Sequence, residues 1–320
     1  MKIIIQIPCY NEEEYLSWTV ADLPRYIEGA DDIEYLVIDD GSTDRTVETA
    51  RGLGIHHIVG FKNNKGLARG FMTGIDACLR LGADIIVNTD ADNQYCGEDI
   101  EKLVRPIING EADIVIGERP IDETEYFSAK KKKLQRIGSW VVRVASGTSI
   151  PDAPSGFRAY SREAALRLNV INEYSYTLET IIQAGNSRMA ITSVPVRTNP
   201  EMRKSRLFNS MSAYIKRSAT VIVRAFMMYR PLRFFSLLGG IVTLVGLSVI
   251  VRFLVSAATG DGGGHVQSLV LAAMLVMIGV QLGIAGLQAD LAAANRKLLE
   301  DVQYRVKKLE IKAKGESVER

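Results

Sequence analysis

Two aspartates one residue apart sit in the stretch 88-NTDADNQY-95, directly after the apolar run 84-DIIV-87. A strand that ends in a turn accounts for one Asp, because Asp favours turns and helix starts. A second at this spacing asks for chemistry. Side chains alternate in direction along an extended segment, so Asp90 and Asp92 can do different jobs. Two carboxylates on such a loop suit Mg2+ or Mn2+, which accept one or two carboxylates, keep several waters and complete their shell with phosphate oxygens. In that arrangement Asp92 holds the metal, and Asp90 holds a ribose hydroxyl or a metal-bound water. Other phosphate chemistries fit poorly. No G-x-x-x-x-G-K-[ST] pattern occurs, and the glycines of 60-GFKNNKGLARG-70 are not in the dinucleotide order G-x-G-x-x-G. Cys9, Cys78 and Cys96 form no C-x-x-C pair and only three histidines are present, which leaves zinc and a disulfide framework unsupported.

The elements that must position the acid pair are legible as short apolar runs alternating with helical patterns. Strands are predicted at 2-KIIIQI-7, 33-IEYLVI-38, 56-HHIV-59, 84-DIIVNT-89 and 113-DIVIG-117. Helices are predicted over 12–28, opening with Glu12, Glu13 and Glu14 in the first turn, and over 42–54, with Ser42 and Thr43 available as N-caps. Such alternation implies an α/β domain with a mostly parallel sheet covered on both faces. These sheets bind ligands at the carboxyl ends of their strands. Pro8, Tyr10, Asn11 and Glu12 follow the first strand, Asp39 and Asp40 the second, and Asp90 and Asp92 the fourth, so three strand ends are expected to converge on one crevice. After Gly117 the alternation stops. Residues 128–147 read as a basic, amphipathic helix near a membrane surface, 152-DAPSGFRAYSRE-163 as a turn, a short strand and a helix, and 189-MAITSVPVR-197 as a last strand.

The formal net charge of +2 over 320 residues conceals an uneven distribution. Acids gather early, at 12-EEE-14, 31-DD-32 and 39-DD-40, while bases dominate 130-KKKKLQR-136 and the segment from Arg203 to Arg233. That division suggests an acidic pocket and an anionic surface partner; nothing in it points to nucleic acid. The run 2-KIIIQIP-8 is too short for a signal peptide. Residues 234–251 and 266–289 carry no charge and are long enough to span a bilayer. Eight Lys or Arg lie from Arg203 to Arg233 and several more from Arg296 to Lys314, whereas the loop 256-SAATGDGGGH-265 has none. The positive-inside rule then gives a multi-pass hairpin in the cell membrane with the catalytic domain and both termini cytoplasmic. Arg252 can snorkel to the outer interface. The tail carries an apolar stripe at Leu298, Val302, Val306 and Leu309, suited to a docking helix or to a modest coiled coil in a homo-oligomer.

The motifs PCYNEE, VIDDGSTD, NKGLARG, TDADNQ, GERP and SGFRAYSR, in that order, resemble the family 2 glycosyltransferases, specifically the branch similar to dolichyl-phosphate mannose synthases and polyprenyl-phosphate glucosyltransferases. The resemblance covers about residues 1–200. It implies a GT-A (Rossmann-like) domain followed by a two-helix transmembrane hairpin at about 234–255 and 266–289, with 201–233 as a basic connector and 290–320 as a cytoplasmic tail. The implied reaction moves a hexose from a UDP- or GDP-linked donor to a polyprenyl phosphate with inversion, supplying lipid-linked sugar for protein glycosylation or envelope glycans. Pro8, Tyr10, Asn11, Glu12, Asp39, Asp40, Lys65, Gly66 and Gln94 would line the nucleotide-sugar pocket with Asp90 and Asp92. Arg119, Lys133, Arg136 and Ser139 would meet the acceptor phosphate, and Asp152 and Arg158 would border the reacting sugar. Asn93 and Tyr95 depart from the Leu and His of many relatives. A phosphate monoester, with its second pKa near ~6, arrives largely dianionic and needs no general base. Two alternatives stay open: a polysaccharide synthase, although no Q-x-x-R-W occurs, and a non-catalytic membrane scaffold.

Overall fold

The computed structural model describes residues 1–120, 138–140, 142–144, 146–170, 176–200, 220, 223–224, 227–258 and 266–318. Lys133 and Arg136 lie outside them, as does most of the expected amphipathic helix. Its described residues, 138–140, 142–144 and 146–147, include Ser139 and Val142, which are buried, and Trp140 and Val144, which are exposed.

The first half of the chain builds β1 (Lys2–Cys9), α1 (Leu16–Asp22), β2 (Asp32–Asp39), α2 (Thr46–Gly52), β3 (His57–Gly60), α3 (Leu67–Arg80), β4 (Ile85–Asn88), α4 (Ile100–Ile108) and β5 (Ile114–Glu118). Then come β6 (Arg158–Ser161), α5 (Arg162–Arg167), α6 (Tyr176–Asn186) and β7 (Ile191–Pro195). One seven-stranded sheet results, in the order β3-β2-β1-β4-β6-β5-β7. β1 to β4 are parallel, as the alternation predicts. Ile3, Ile4, Ile5 and Ile7 of β1 are all fully buried, because helices cover both faces of a central parallel strand.

The sheet is mixed beyond β4, since β6 runs antiparallel to both β4 and β5. That reversal matters for the site. It pairs Arg158, the first residue of β6, with Asn88, the last of β4, so the residues just before β6 meet those just after β4. The chain winds outward from β1 through β2 to β3 and then returns to β4 on the other side of β1. The carboxyl ends of β1 and β4 therefore flank a topological switch point, where open α/β sheets bind their ligands.

Two helix starts differ from the sequence reading. α1 begins at Leu16 with no acid in its first turn. The segment before it is tied to the next loop: the Glu12 N–H donates to Thr46 Oγ1 at 2.8 Å, and the Glu13 carboxylate, through Oε2, accepts the Arg45 N–H at 2.8 Å. α2 begins at Thr46 with no side-chain cap at its N-cap residue. Ser42 and Thr43 instead bond across to Asn11, whose N–H reaches Ser42 Oγ at 3.0 Å and whose Oδ1 accepts the Thr43 N–H at 2.8 Å. Asp44 does the local capping instead, its Oδ1 accepting the Thr46 N–H at 3.0 Å, while Ser42 and Thr43 tie the β1 and β2 loops together.

The described residues form two compact units, one of 1–218 with 301–320 and one of 219–300. Two helices, α7 (Pro231–Ala258) and α8 (Val266–Val318, whose residues from Asp301 on belong to the first unit), contain two stretches long and apolar enough to cross a membrane. Only 11% and 17% of their most apolar windows are buried, which is opposite to the burial of a soluble core helix. The two helices pack through small residues. A methyl added at Gly239 would stand 2.7 Å from the Gly279 carbonyl oxygen, one at Gly246 would stand 3.0 Å from the Ala272 oxygen, and one at Gly279 would strike Thr243 Oγ1. Close backbone approach of this kind drives helix association where lipid removes the hydrophobic gain. The span and tail read separately from the sequence form one uninterrupted helix.

Within the first unit, the end of α8 docks by its polar side. The Tyr304 hydroxyl donates to Glu163 Oε2 at 3.1 Å, the Arg167 guanidinium lies 4.3 Å over the Tyr304 ring, and Lys307 Nζ donates to the Leu168 carbonyl at 3.4 Å. The apolar stripe expected to dock remains exposed at Leu298, Val302, Val306 and Leu309.

Candidate active site

Asp40 closes the loop after β2 onto the start of α3: Oδ1 accepts the Lys65 N–H at 2.7 Å and Oδ2 the Gly66 N–H at 2.9 Å. Gly66 has φ of 88°, a left-handed conformation that favours glycine. Asp39 Oδ1 accepts the Ser42 N–H at 3.0 Å, and Cys9 pairs with Asp39 across β1 and β2. Pro8, Asn11, Glu12, Asp39, Asp40, Lys65 and Gly66 thus gather at the carboxyl ends of β1 and β2, beside an exposed Tyr10. Burial of the Cys9 thiol beneath them, with Glu12 and Asp39 nearby, pushes its pKa well above the ordinary value, so it is no nucleophile.

The acid pair follows β4 on the other side of β1. Beneath it lies a buried polar network. Gln6 Nε2 donates to Asn88 Oδ1 at 2.9 Å, and Asn88 Nδ2 donates to the Gly156 carbonyl and the Tyr176 hydroxyl, each at 2.9 Å. The Gly156 N–H donates to the Tyr95 hydroxyl at 3.1 Å. The network brings residues 152–157 under the acid pair so closely that a methyl added at Gly156 would stand 3.0 Å from Asp90 Oδ1. Tyr95 stacks on Phe157 with ring centroids 4.7 Å apart. Burial pushes its hydroxyl pKa up to about 12, Arg119 opposing and Asp90 and Asp152 adding to the shift.

Arg119 and Asp152, placed by sequence on the acceptor and on the sugar, are partners of each other. The Arg119 Nε and Nη2 groups donate to Asp152 Oδ2 and Oδ1 at 2.8 and 3.0 Å, and the Arg119 N–H adds a contact of 3.2 Å. Asp152 is fully buried, and the Arg119 side chain is 12% exposed. Burial works against the guanidinium charge, yet Tyr95, Asp152 and Asp90 hold its pKa above the ordinary range. Negative and positive groups therefore converge at the carboxyl end of β4 and β5.

Arg158, expected to border the reacting sugar, is placed inside the protein. It is fully buried, and its guanidinium donates to the carbonyls of Ser155 at 2.7 Å, Ala153 at 2.7 Å and Thr177 at 2.9 Å, and to Thr180 Oγ1 at 2.7 Å. A charge taken out of water needs its donors satisfied, and these carbonyls supply that. Its work is to hold the loop 152–157 in place. Ser139 is likewise buried, its Oγ accepting the Ala153 N–H at 3.3 Å on the same loop. Gln94 sits on the acid-pair loop, its N–H 3.4 Å from Asp92 Oδ1. Sequence reading missed Gln6, Asn88, Gly156 and Tyr176; a polar residue within or at the end of an otherwise apolar strand was the available signal for the first two.

Among the described residues no group of three or more His, Cys, Asp or Glu is arranged to hold a metal. Two carboxylates still fit Mg2+ or Mn2+, which take the rest of their oxygens from water and phosphate. A surface groove of about 800 Å3 lined by Pro24, Glu98, Lys102, Arg105 and Arg197 contains none of these site residues. Its charges pair among themselves, as Arg105 with Glu101 and Arg197 with Asp99.

Comparison with known proteins agrees with this geometry. The chain is 31% identical over 220 residues to the UDP-N-acetylglucosamine--dolichyl-phosphate N-acetylglucosaminyltransferase of Methanococcus voltae, covering 61% of this chain and 85% of that one. It is 27% identical over 221 residues to the polyprenol monophosphomannose synthase of Mycolicibacterium smegmatis, covering 65% and 82%. The crystal structure of glucosyl-3-phosphoglycerate synthase from Mycobacterium tuberculosis in complex with Mn2+, UDP and glucosyl-3-phosphoglycerate superimposes with a TM-score of 0.54 at 19% identity, over 69% of this chain and 79% of that one, which establishes the shared GT-A fold. Residues 4–168 match the family model described as Glycosyl transferase family 2, and the chain is a glycosyltransferase that belongs to that family.

Proposed function

We propose that this enzyme transfers a hexose from a UDP- or GDP-linked donor to a polyprenyl phosphate at a membrane, inverting the anomeric centre and supplying lipid-linked sugar for protein glycosylation or envelope glycans. The observation that carries this reading is the meeting of an acid pair with a buried Arg–Asp pair at the carboxyl ends of β4 and β5, in a chain with two apolar helices. Relatives named for dolichyl and polyprenyl phosphate acceptors support it.

Asp92, with Asp90, would hold Mg2+ or Mn2+, which when bound neutralises the departing diphosphate. Asp90, seated against Gly156, orients the donor's ribose side. Asp39, Asp40 and the loop they fix at Lys65 and Gly66 enclose the nucleotide. Arg119 lowers the repulsion between two anionic substrates. One phosphate oxygen of the acceptor attacks the anomeric carbon, the bond from that carbon to the diphosphate oxygen breaks, and the nucleoside diphosphate leaves with the electron pair. Holding the two anions in line supplies much of the rate.

Purified protein given a panel of labelled UDP- and GDP-sugars with dolichyl or undecaprenyl phosphate should move label into organic solvent for one donor. Label appearing in polymer, or no label in lipid with any donor, would overturn the reading. We further propose a cytoplasmic domain and cytoplasmic termini, supported by the basic flanks of the spans. A cysteine placed at Gly262 should react with an impermeant reagent in sealed cells, and one placed at Ser317 should not; the reverse pattern would invert the topology.

A further inference from the structure

The loop bearing the acid pair leaves β4 at Asn88 and turns through Asn93, whose φ of 53° is left-handed. A segment more than a hundred residues away holds that turn. Asn199 Nδ2 donates to the Asn93 carbonyl at 3.1 Å and to the Tyr95 carbonyl at 3.2 Å, while the Asn199 N–H donates to the Gln94 carbonyl at 2.9 Å. Three consecutive carbonyls just beyond Asp92 are thus gathered by one residue. The clamp is itself anchored: Thr198 bridges Tyr95 in antiparallel fashion, and the Cys96 N–H donates to the Arg197 carbonyl at 3.3 Å. Arg197 is in turn fixed by Asp99, which accepts its N–H at 2.6 Å and its Nη2 at 2.8 Å.

A primary amide carries two N–H donors in one plane and can serve two carbonyls at once. A carboxylate of the same shape has none. We propose that Asn199 is a positioning residue for the acid pair, holding the turn at 93–95 so that Asp92 and Gln94 present their oxygens to the cation and nucleotide; this rests on the reading of Asp90 and Asp92 as the metal and nucleotide site. Tyr95 holds the opposite side of the turn through Gly156. The site is therefore braced from two distant segments, and Asn199 is the brace that acts on the backbone next to Asp92.

The test compares the full-length protein with Asn199→Ala and Asn199→Asp, using Mn2+ with UDP and, separately, with GDP as probes. Each variant loses the donated pair of hydrogen bonds, so Mn2+ half-saturation should rise about tenfold. In metal-free protein, exchange of the amides from Gln94 to Gly97 should speed up by a similar factor while those of β1 keep their protection. Binding and exchange unchanged in both variants would overturn the proposal. So would an Asn199→Asp variant that behaves like the parent, because shape rather than donation would then suffice. Loss of protection spread equally over β1 and the loop would also overturn it, showing a general structural role. Asp92→Asn serves as the reference: if it binds Mn2+ as the parent does, or the parent binds none with either nucleotide, the metal reading itself fails and the proposal falls with it.

Discussion

Asp92→Asn should lower transfer by about three orders of magnitude, because a metal ion contributes several kcal/mol to charge stabilisation and each 1.4 kcal/mol is tenfold in rate. The substitution keeps the shape of the side chain and its place in the loop, where Oδ1 faces the Gln94 N–H at 3.4 Å, and removes the charge. Asp92 is partly exposed and sits on a loop, so the folded state should change little: surface substitutions of this kind stay within about 0.5 kcal/mol. EDTA should silence the parent protein to the same degree, and Mg2+ or Mn2+ should restore it. Full activity in excess chelator, or an Asp92→Asn variant within tenfold of the parent, would remove the metal from the mechanism.

The parts of this site that could be read from sequence are those written in short segments. Asp39 and Asp90 each follow an apolar run, and a run followed by an acid marks the carboxyl end of a strand without further information. The parallel order of β1 to β4 follows from the same alternation. What stayed hidden depends on contacts between distant segments. The antiparallel insertion of β6 turns Arg158 inward, and only the pairing of Asn88 with Arg158 reveals that a cation next to a glycine turn is a brace for backbone carbonyls. Asn199 offers no local signal, since Asn before Pro reads as an ordinary turn. The early acids misled for a related reason. Glu12 and Glu13 have the composition of a helix start, but the Glu12 N–H and the Glu13 carboxylate bond to Thr46 and Arg45 on the next loop, and α1 starts only at Leu16.

Arg119 is where sequence and structure part most usefully. Read alone it is a cation for the acceptor phosphate; in the fold it is also the partner of a carboxylate with no exposure to water. Arg119→Ala should therefore cost stability as well as activity, about 3 to 5 kcal/mol for breaking a buried ion pair from one side. By the usual scaling this lowers the thermal midpoint by roughly 6 to 20 °C. The double variant Arg119→Ala with Asp152→Ala should recover much of that loss, because both charges of the pair are then gone. Arg119→Lys separates the two roles: a point charge survives but the two-pronged grip on Asp152, at 2.8 and 3.0 Å, does not. A guanidinium has five donors, so an anionic acceptor can share it with Asp152, and an ammonium cannot bridge both in the same geometry. Acceptor efficiency in Arg119→Lys should fall roughly ten- to hundredfold, as for loss of a hydrogen bond to a charged group. Nucleotide affinity measured without lipid should stay within about threefold. If nucleotide affinity falls while acceptor dependence holds, the guanidinium serves the donor diphosphate, and the charge pair with Asp152 sits on the donor side of the crevice.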